Sequence, residues 1–126
     1  MTVVSGSTRF YGVAGALGLF LSVALGAFAA HSLRQRLSPQ MLNVFETGVR
    51  YQVYHSLALL AVAMFAGKNT MFRYAGTSYI LGIVLFSFSL YALAMTGIDG
   101  LGIITPFGGL SFLAGHIFLL IGFLKI

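Results

Sequence analysis

The sequence predicts an all-α fold: a polytopic membrane protein built as a four-transmembrane-helix bundle, with an interfacial amphipathic segment between helices 1 and 2. Three observations predict it. Of 126 residues, 59% are apolar and 7% charged, where a soluble domain carries about 25% charged residues and one this small leaves much of its surface in water. The apolar residues gather into four runs, Phe10–Ala30, Tyr51–Gly67, Tyr74–Met95 and Ile103–Leu124, each close to the ~20 residues that cross ~30 Å of hydrocarbon. The runs are continuously apolar, whereas a membrane β-barrel needs strands of alternating polarity. A helix then remains as the way to pair every backbone group in lipid. Residues 1–126 read as a single membrane domain.

Phe10–Ala30 follows Arg9 and carries no charge. Ala27-Phe28-Ala29 has the look of a signal-peptide cleavage site, but the apolar stretch before it is longer than a signal peptide's core, so the run is expected to stay as the first helix. Residues 31–50 form the long connection. Ser38-Pro39 signals a helix start, with Ser as N-cap and Pro at the first helical position, where its missing N–H costs nothing. Met41, Leu42, Phe45 and Val49 then recur at helical spacing, and Glu46 and Arg50 stand four apart in the favourable order. This predicts an amphipathic stretch over about 38–50, lying at the interface and leading into the second span, 51–67. Lys68–Arg73 is a polar turn before the third span, 74–95. Gly97, Asp99, Gly100 and Gly102 make a loop before the fourth, 103–124.

Four spans bring both termini to one side, with Arg9, Lys68, Arg73 and Lys125, against Arg34, Arg36 and Arg50 on the other. The small excess of cations favours cytoplasmic termini. These cations sit singly or in pairs between apolar runs, not in the continuous stripe that a nucleic-acid surface needs. There is no cysteine, which excludes disulfides and thiolate metal sites. The two acids, Glu46 and Asp99, fall in different connections, and no nucleophile, zincin or phosphate-loop motif is present. No enzymatic activity and no cofactor is therefore expected. The expected partners are membrane lipids, and either further copies of the chain or another membrane protein.

Ionisable and polar groups inside a bilayer are costly and are the first functional candidates. His31 ends the first run and His55 lies one turn into the second. Antiparallel neighbours would bring both to similar depth near one interface. Tyr51 shares the face of His55, Gln52 lies beside it, and Glu46 and Arg50 precede it, completing a candidate cluster. Such a cluster suits hydrogen bonding at the interface in the structural case, and proton, metal or lipid-headgroup handling in the functional one. Two histidines without carboxylate or thiolate neighbours do not define a metal centre. His116 falls near the middle of the fourth run, where a bond to Ser22, Ser87 or Ser89 across helices is expected. Thr105, Pro106, Gly108 and Gly109 open the fourth run, either as an ordinary helix start or as a ligand-lining helix break.

Packing in lipid relies on close backbone approach through small residues. Ala14, Gly18, Ser22, Gly26 and Ala30 form a seam at strict four-residue spacing on the first helix. Gly108, Ser111, Gly115 and Gly122 do so on the fourth, and Ser78, Gly82, Ser87 and Ser89 on the third. Contacts within the chain are the expected use of these seams, and a homo-oligomer the alternative.

Four motifs carry a resemblance: Gly26-Ala-Phe-Ala-Ala-His31, Tyr51-Gln-Val-Tyr-His55, Leu85-Phe-Ser-Phe-Ser-Leu-Tyr91 and Thr105-Pro-Phe-Gly-Gly109. In order and spacing, over roughly residues 10–124, the chain resembles the DUF423 family of small bacterial membrane proteins, itself similar to eukaryotic transmembrane protein 256. The resemblance implies a four-helix protein of the bacterial inner membrane with no established molecular function. Phe88 stands where the family commonly has Gly, and His116 where relatives tend to carry an aromatic residue, while His31 and His55 match motif positions. The expected role is a non-catalytic structural, lipid-interacting or accessory subunit. The alternative is a small carrier or pore for protons, metal ions or small solutes, using His31, His55 and the Pro106–Gly109 break.

Overall fold

The computed structural model describes residues 5–126 and is helical throughout, with no strand among the described residues. Helix α1 spans Gly6–His31, α2 Pro39–Phe65, α3 Thr70–Gly82, α4 Ser89–Thr96 and α5 Thr105–Leu124. A π-helical segment, Ile83–Phe88, joins α3 to α4 without a break. Short 3-10 turns occupy Leu33–Gln35 and Asp99–Ile103.

The caps follow from the sequence. Ser5 Oγ accepts from Thr8 N at 3.1 Å to start α1, and Asn69 Oδ1 accepts from Met71 N at 3.1 Å to start α3. Ser38 Oγ accepts from Met41 N at 3.2 Å with Pro39 opening α2, as the Ser-Pro pair predicts. Gly97 adopts φ +71°, a left-handed conformation open to glycine, and its N–H closes α4 on Leu93 O.

The expected interfacial segment at 38–50 is not a separate element. It forms the first turns of α2, a helix of 27 residues that runs through into the second apolar run. Part of its apolar stripe packs on protein: Phe45 on Tyr91 at 4.8 Å between ring centroids, and Val49 on Gly26, while Met41 and Leu42 are half-buried. Arg50 donates to Thr47 Oγ1 at 2.9 Å, taking the place of the expected pairing with Glu46.

The helices form two antiparallel hairpins. α1 lies along α2 from Gly26 against Val49, through Gly18 against Ser56, to Gly12 against Ala63. α3 and the π-helical segment lie along α5, with Tyr79 on Gly115, Gly82 on Phe112, and the Phe86 backbone on Gly108. The hairpins join where α2 packs on α3, the π-helical segment and α4. A core around Val62, Phe72, Ala75 and Tyr79, none of them exposed, fills the junction. A second cluster of Ala29, Leu33, Phe45 and Ala94 closes the other end.

Large apolar side chains point outward, among them Phe20 (70% exposed), Val23 (74%) and Leu110 (62%). Such a surface suits hydrocarbon, not water. Three helical stretches, Gly6–Gln35, Thr70–Thr96 and Asp99–Leu124, are long and apolar enough to cross a membrane.

The first-helix seam needs correction. Gly18 approaches Ser56 so closely that no Cβ fits, and Ser22 is buried, but Ala30 is exposed and the buried positions of α1 are Tyr11, Gly15, Ser22 and Ala29. A row at four-residue spacing drifts ~40° per step around a helix of 3.6 residues per turn. A seven-residue step drifts only ~20°, so the seam facing α2 changes register along its length. The seams at Gly108, Ser111, Gly115 and Gly122, and at Ser78 and Gly82, lie where expected: Ser111 Oγ donates to Ser78 O at 2.7 Å, and Gly122 sits on Phe72.

Candidate functional site

α2 and α5 do not pack backbone to backbone. They meet through side chains, leaving a cleft over the π-helical segment that is lined by Tyr51, Tyr54, His55, Phe86, Gly109, Phe112, Leu113 and His116. The imidazole of His55 lies flat on Phe112, centroids 3.5 Å apart and planes within 5°. Tyr51 leans on Phe86 at 4.7 Å and meets Tyr54 edge-on at 5.6 Å.

At the floor runs a chain of hydrogen bonds. His55 Nδ1 lies 2.7 Å from Tyr51 O, His55 Nε2 3.2 Å from His116 Nε2, and His116 Nδ1 2.8 Å from the Tyr79 hydroxyl. One fixed group sets its direction. A backbone carbonyl can only accept, so His55 Nδ1 carries a proton. In the neutral pair His55 Nε2 then accepts from His116 Nε2–H, and His116 Nδ1 accepts from Tyr79 O–H. Every ring nitrogen is engaged, His55 being buried and His116 exposed at the cleft's edge on α5.

A second network lies one turn away. Gln52, 1% exposed, donates through Nε2 to Gly18 O at 2.9 Å and accepts at Oε1 from the Tyr91 hydroxyl at 2.7 Å. It ties α1, α2 and α4 together. Ser22 Oγ donates to the same Gly18 carbonyl at 2.7 Å, and Ser87 Oγ to Gly48 O at 2.7 Å. Ser56 Oγ, fully buried, has no partner among the described residues.

The structure therefore keeps part of the expected cluster and disperses the rest. Tyr51 and His55 share the cleft, as the spacing indicates, while Gln52 turns away from it into the second network. His31 is exposed in the last turn of α1. The α1–α2 register sets it near Val44, eleven residues and about 16 Å along the axis from His55, so the two do not share a depth. Glu46 and Arg50 lie outside the cleft, at the N-terminal end of α2. His116 pairs with His55 and Tyr79, not with Ser22, Ser87 or Ser89. Those serines bond to carbonyls, Ser89 to Phe86 O at 2.9 Å. No group of three or more metal-ligating side chains occurs among the described residues.

Of the two readings of Thr105–Gly109, the structure has the ordinary helix start and not the ligand-lining break. α5 runs unbroken from Thr105, with Pro106 in its first turn. Thr105 Oγ1 lies 2.6 Å from Ser89 Oγ, and Gly108 admits the Phe86 backbone. The irregular backbone lies across the interface, in the π-helical segment, a conformation that clusters at functional sites. Tyr79 and Tyr91, which complete the two networks, were not singled out by sequence reasoning. Tyr91 closes one of the quoted motifs, and Tyr79 follows Ser78 in the third-helix seam.

Comparison with known proteins places this geometry in a family. The family model described as a protein of unknown function, DUF423, matches residues 25–109. The chain belongs to the DUF423 family. That match covers Gln52, His55, Tyr79 and Tyr91, and ends at Gly109, before His116. Among family relatives, the UPF0382 membrane protein SH2409 of Staphylococcus haemolyticus is 43% identical over 118 residues, covering 93% of this chain and 97% of that one. The UPF0382 membrane protein of Haemophilus influenzae is 47% identical over 111 residues, 87% and 90% of the two chains. The UPF0382 inner membrane protein YgdD of Escherichia coli is 39% identical over 122 residues, 95% and 93%. No solved structure matches. The chain is thus a helical membrane protein of the DUF423 family.

Proposed function

We propose that this chain is a non-catalytic, lipid-interacting accessory subunit of the bacterial cytoplasmic membrane, with four spanning helices and both termini in the cytoplasm. The observation that carries the reading is the antiparallel pairing of α2 with α1 from Val49 at Gly26 to Ala63 at Gly12. A helix so paired crosses what its partner crosses. The polar groups of α2 suit that position, because Gln52, His55 and Ser56 are buried against neighbouring helices. The non-catalytic part rests on how the hydroxyls are used: Ser22, Ser87, Ser89 and Ser111 each donate to a backbone carbonyl, and the unpartnered Ser56 Oγ is fully buried and has no base beside it. The lipid-interacting part rests on the outward apolar faces of α1 and α5 and on the cleft open at the side of the bundle.

Single cysteines at Arg9, Lys68, Lys125, Arg34 and Asp99 test the topology, since the native chain has none. A membrane-impermeant maleimide should label the last two from outside and the first three only after the membrane is opened. Labelling of Lys68→Cys from outside would remove α2 from the membrane and sink the reading.

A carrier for protons or ions is the second reading, and the His55–His116 pair favours it. Under that reading proteoliposomes dissipate a pH gradient and His55→Gln abolishes the leak; equal leak rates in both would eliminate it.

A further inference from the structure

We infer that the cleft between α2 and α5 binds the flat, uncharged ring of a membrane-dissolved quinone-type isoprenoid, with the Tyr51 and Tyr54 hydroxyls donating to its carbonyl oxygens. The inference rests on the membrane reading above and names the ligand of the same cleft.

Depth comes first. The midpoints of the two apolar stretches Thr70–Thr96 and Asp99–Leu124 fall at Ile83 and beside Phe112. On the membrane reading, the Phe112–His55 stack therefore lies near the middle of both apolar stretches, with His116 one turn away. Phospholipid headgroups lie ~15 Å from that plane, so a headgroup is not the occupant. The polar atoms of whatever fills the cleft must tolerate hydrocarbon, which excludes a charged ligand.

Hydrogen-bonding capacity comes second. The ring nitrogens of both histidines are engaged, so they offer a ligand nothing in the neutral state. Tyr51 and Tyr54, 38% and 55% exposed, line the cleft, and their hydroxyls have no partner among the described residues. A phenol facing hydrocarbon without a partner loses a hydrogen bond that water would have supplied. Two free donors and no free acceptor beyond the phenols themselves call for a ligand that presents acceptors, such as carbonyl oxygens.

Shape comes third. The cleft encloses about 300 Å³, the small end of small-molecule sites. Its walls are rings: Tyr51, Phe86, Phe112 and the imidazole of His55, an arrangement that favours a planar guest by stacking. A Cβ at Gly109 would meet nothing within 4 Å, so that wall stays open toward the bilayer. A ring can enter sideways while its isoprenoid tail stays in the lipid.

The test uses the full chain in phosphatidylethanolamine–phosphatidylglycerol nanodiscs with a photoreactive azidoquinone bearing a decyl tail. Adducts should map to the peptides holding Tyr51, Tyr54 and Leu113. Excess decylubiquinone should suppress them and excess decylbenzene should not. Tyr51→Phe with Tyr54→Phe should cut labelling roughly tenfold, the worth of one to two hydrogen bonds, with the unfolding midpoint unchanged because neither hydroxyl has a partner in the protein. Gly109→Leu should block labelling by filling the open wall.

Three outcomes overturn the inference. Labelling spread evenly over outward faces such as Val13 and Phe20 shows no site. Equal competition by decylbenzene shows an apolar groove with no use for the phenols. Chain-to-chain crosslinks across Tyr54 and Leu113, with no quinone adduct, show that a second copy covers the face. Failure of the membrane reading itself would appear separately, in the cysteine labelling.

Discussion

Gly108 and Gly109 are adjacent on α5 and provide a matched pair. A Cβ built on Gly108 would strike backbone: Leu85 C at 2.7 Å, with Phe86 N nearer still, where ordinary contact is 3.4–4 Å. Backbone atoms cannot rotate away, so α5 and the π-helical segment must separate by roughly 1 Å. Overpacking of this kind costs about 1–3 kcal/mol, against a helix-propensity gain of up to ~1 kcal/mol for Gly→Ala. A Cβ on Gly109 would meet nothing within 4 Å, so Gly109→Ala takes the gain alone. Gly108→Ala is expected to destabilise by about 1–2 kcal/mol and Gly109→Ala to be neutral or stabilising by up to ~1 kcal/mol. Both have the same intrinsic propensity change, so the difference, about 1–3 kcal/mol, isolates the contact. Unfolding in mixed micelles with increasing dodecyl sulfate, followed by helical circular dichroism, measures it. Equal midpoints for the two variants would refute the packing argument.

Further expectations concern the buried polar groups. Solid-state ¹⁵N spectra of labelled histidine should show His55 as the Nδ1–H tautomer and His116 as Nε2–H, because the Tyr51 carbonyl fixes the first; the reverse assignment would break the chain as drawn. His116→Phe strands the buried Tyr79 hydroxyl and His55 Nε2 and should cost about 1–3 kcal/mol, and combining it with Tyr79→Phe should cost less than the sum of the two single changes; strict additivity in unfolding would deny the bond. Ser56→Ala removes a buried hydroxyl with no partner and should be neutral or stabilising by up to ~1 kcal/mol, whereas Ser87→Ala, which loses the bond to Gly48 O, should cost about 1 kcal/mol. Equal losses in denaturation would show that Ser56 is satisfied after all.

What sequence could anticipate depended on how local the cause is. The Ser38 cap and Pro39 need only their own helix, and both stand as expected. The α5 seam at Gly108, Gly115 and Gly122 was legible because a single partner covers all three. The α1 seam drifted because helical geometry turns a four-residue row away from α2 by Ala30. The partner of His55 was not legible at all. It depends on which helices flank α2 and on the register of α5, set by Tyr79 against Gly115 and by Gly82 against Phe112. A pattern along one helix carries no information about that register. Sequence spacing made His31 the nearer candidate, and the antiparallel register removed it.

The π-helical segment explains how one long helix serves both networks. In an unbroken α-helix each residue turns the face by ~100°, so one extra residue in a turn swings everything after it by about that angle. Before the segment, Tyr79 and Gly82 face α5, reaching His116 and Phe112. From its last turn onward the chain faces α2: Ser87, near the end of the segment, reaches Gly48, and Tyr91, beyond it, reaches Gln52. At the end of the irregular turn the Phe86 carbonyl accepts both the Ser89 N–H and, at 2.9 Å, the Ser89 hydroxyl, with Thr105 Oγ1 of α5 bracing that hydroxyl at 2.6 Å. The motif residues Leu85–Tyr91 and Thr105–Gly109 are thus two halves of one device, meeting at the Ser89–Thr105 contact. Ser89→Ala should weaken that brace, and if the turn is held by packing alone, its loss will leave the Gln52–Tyr91 and His116–Tyr79 bonds, read from the side-chain NMR signals, undisturbed.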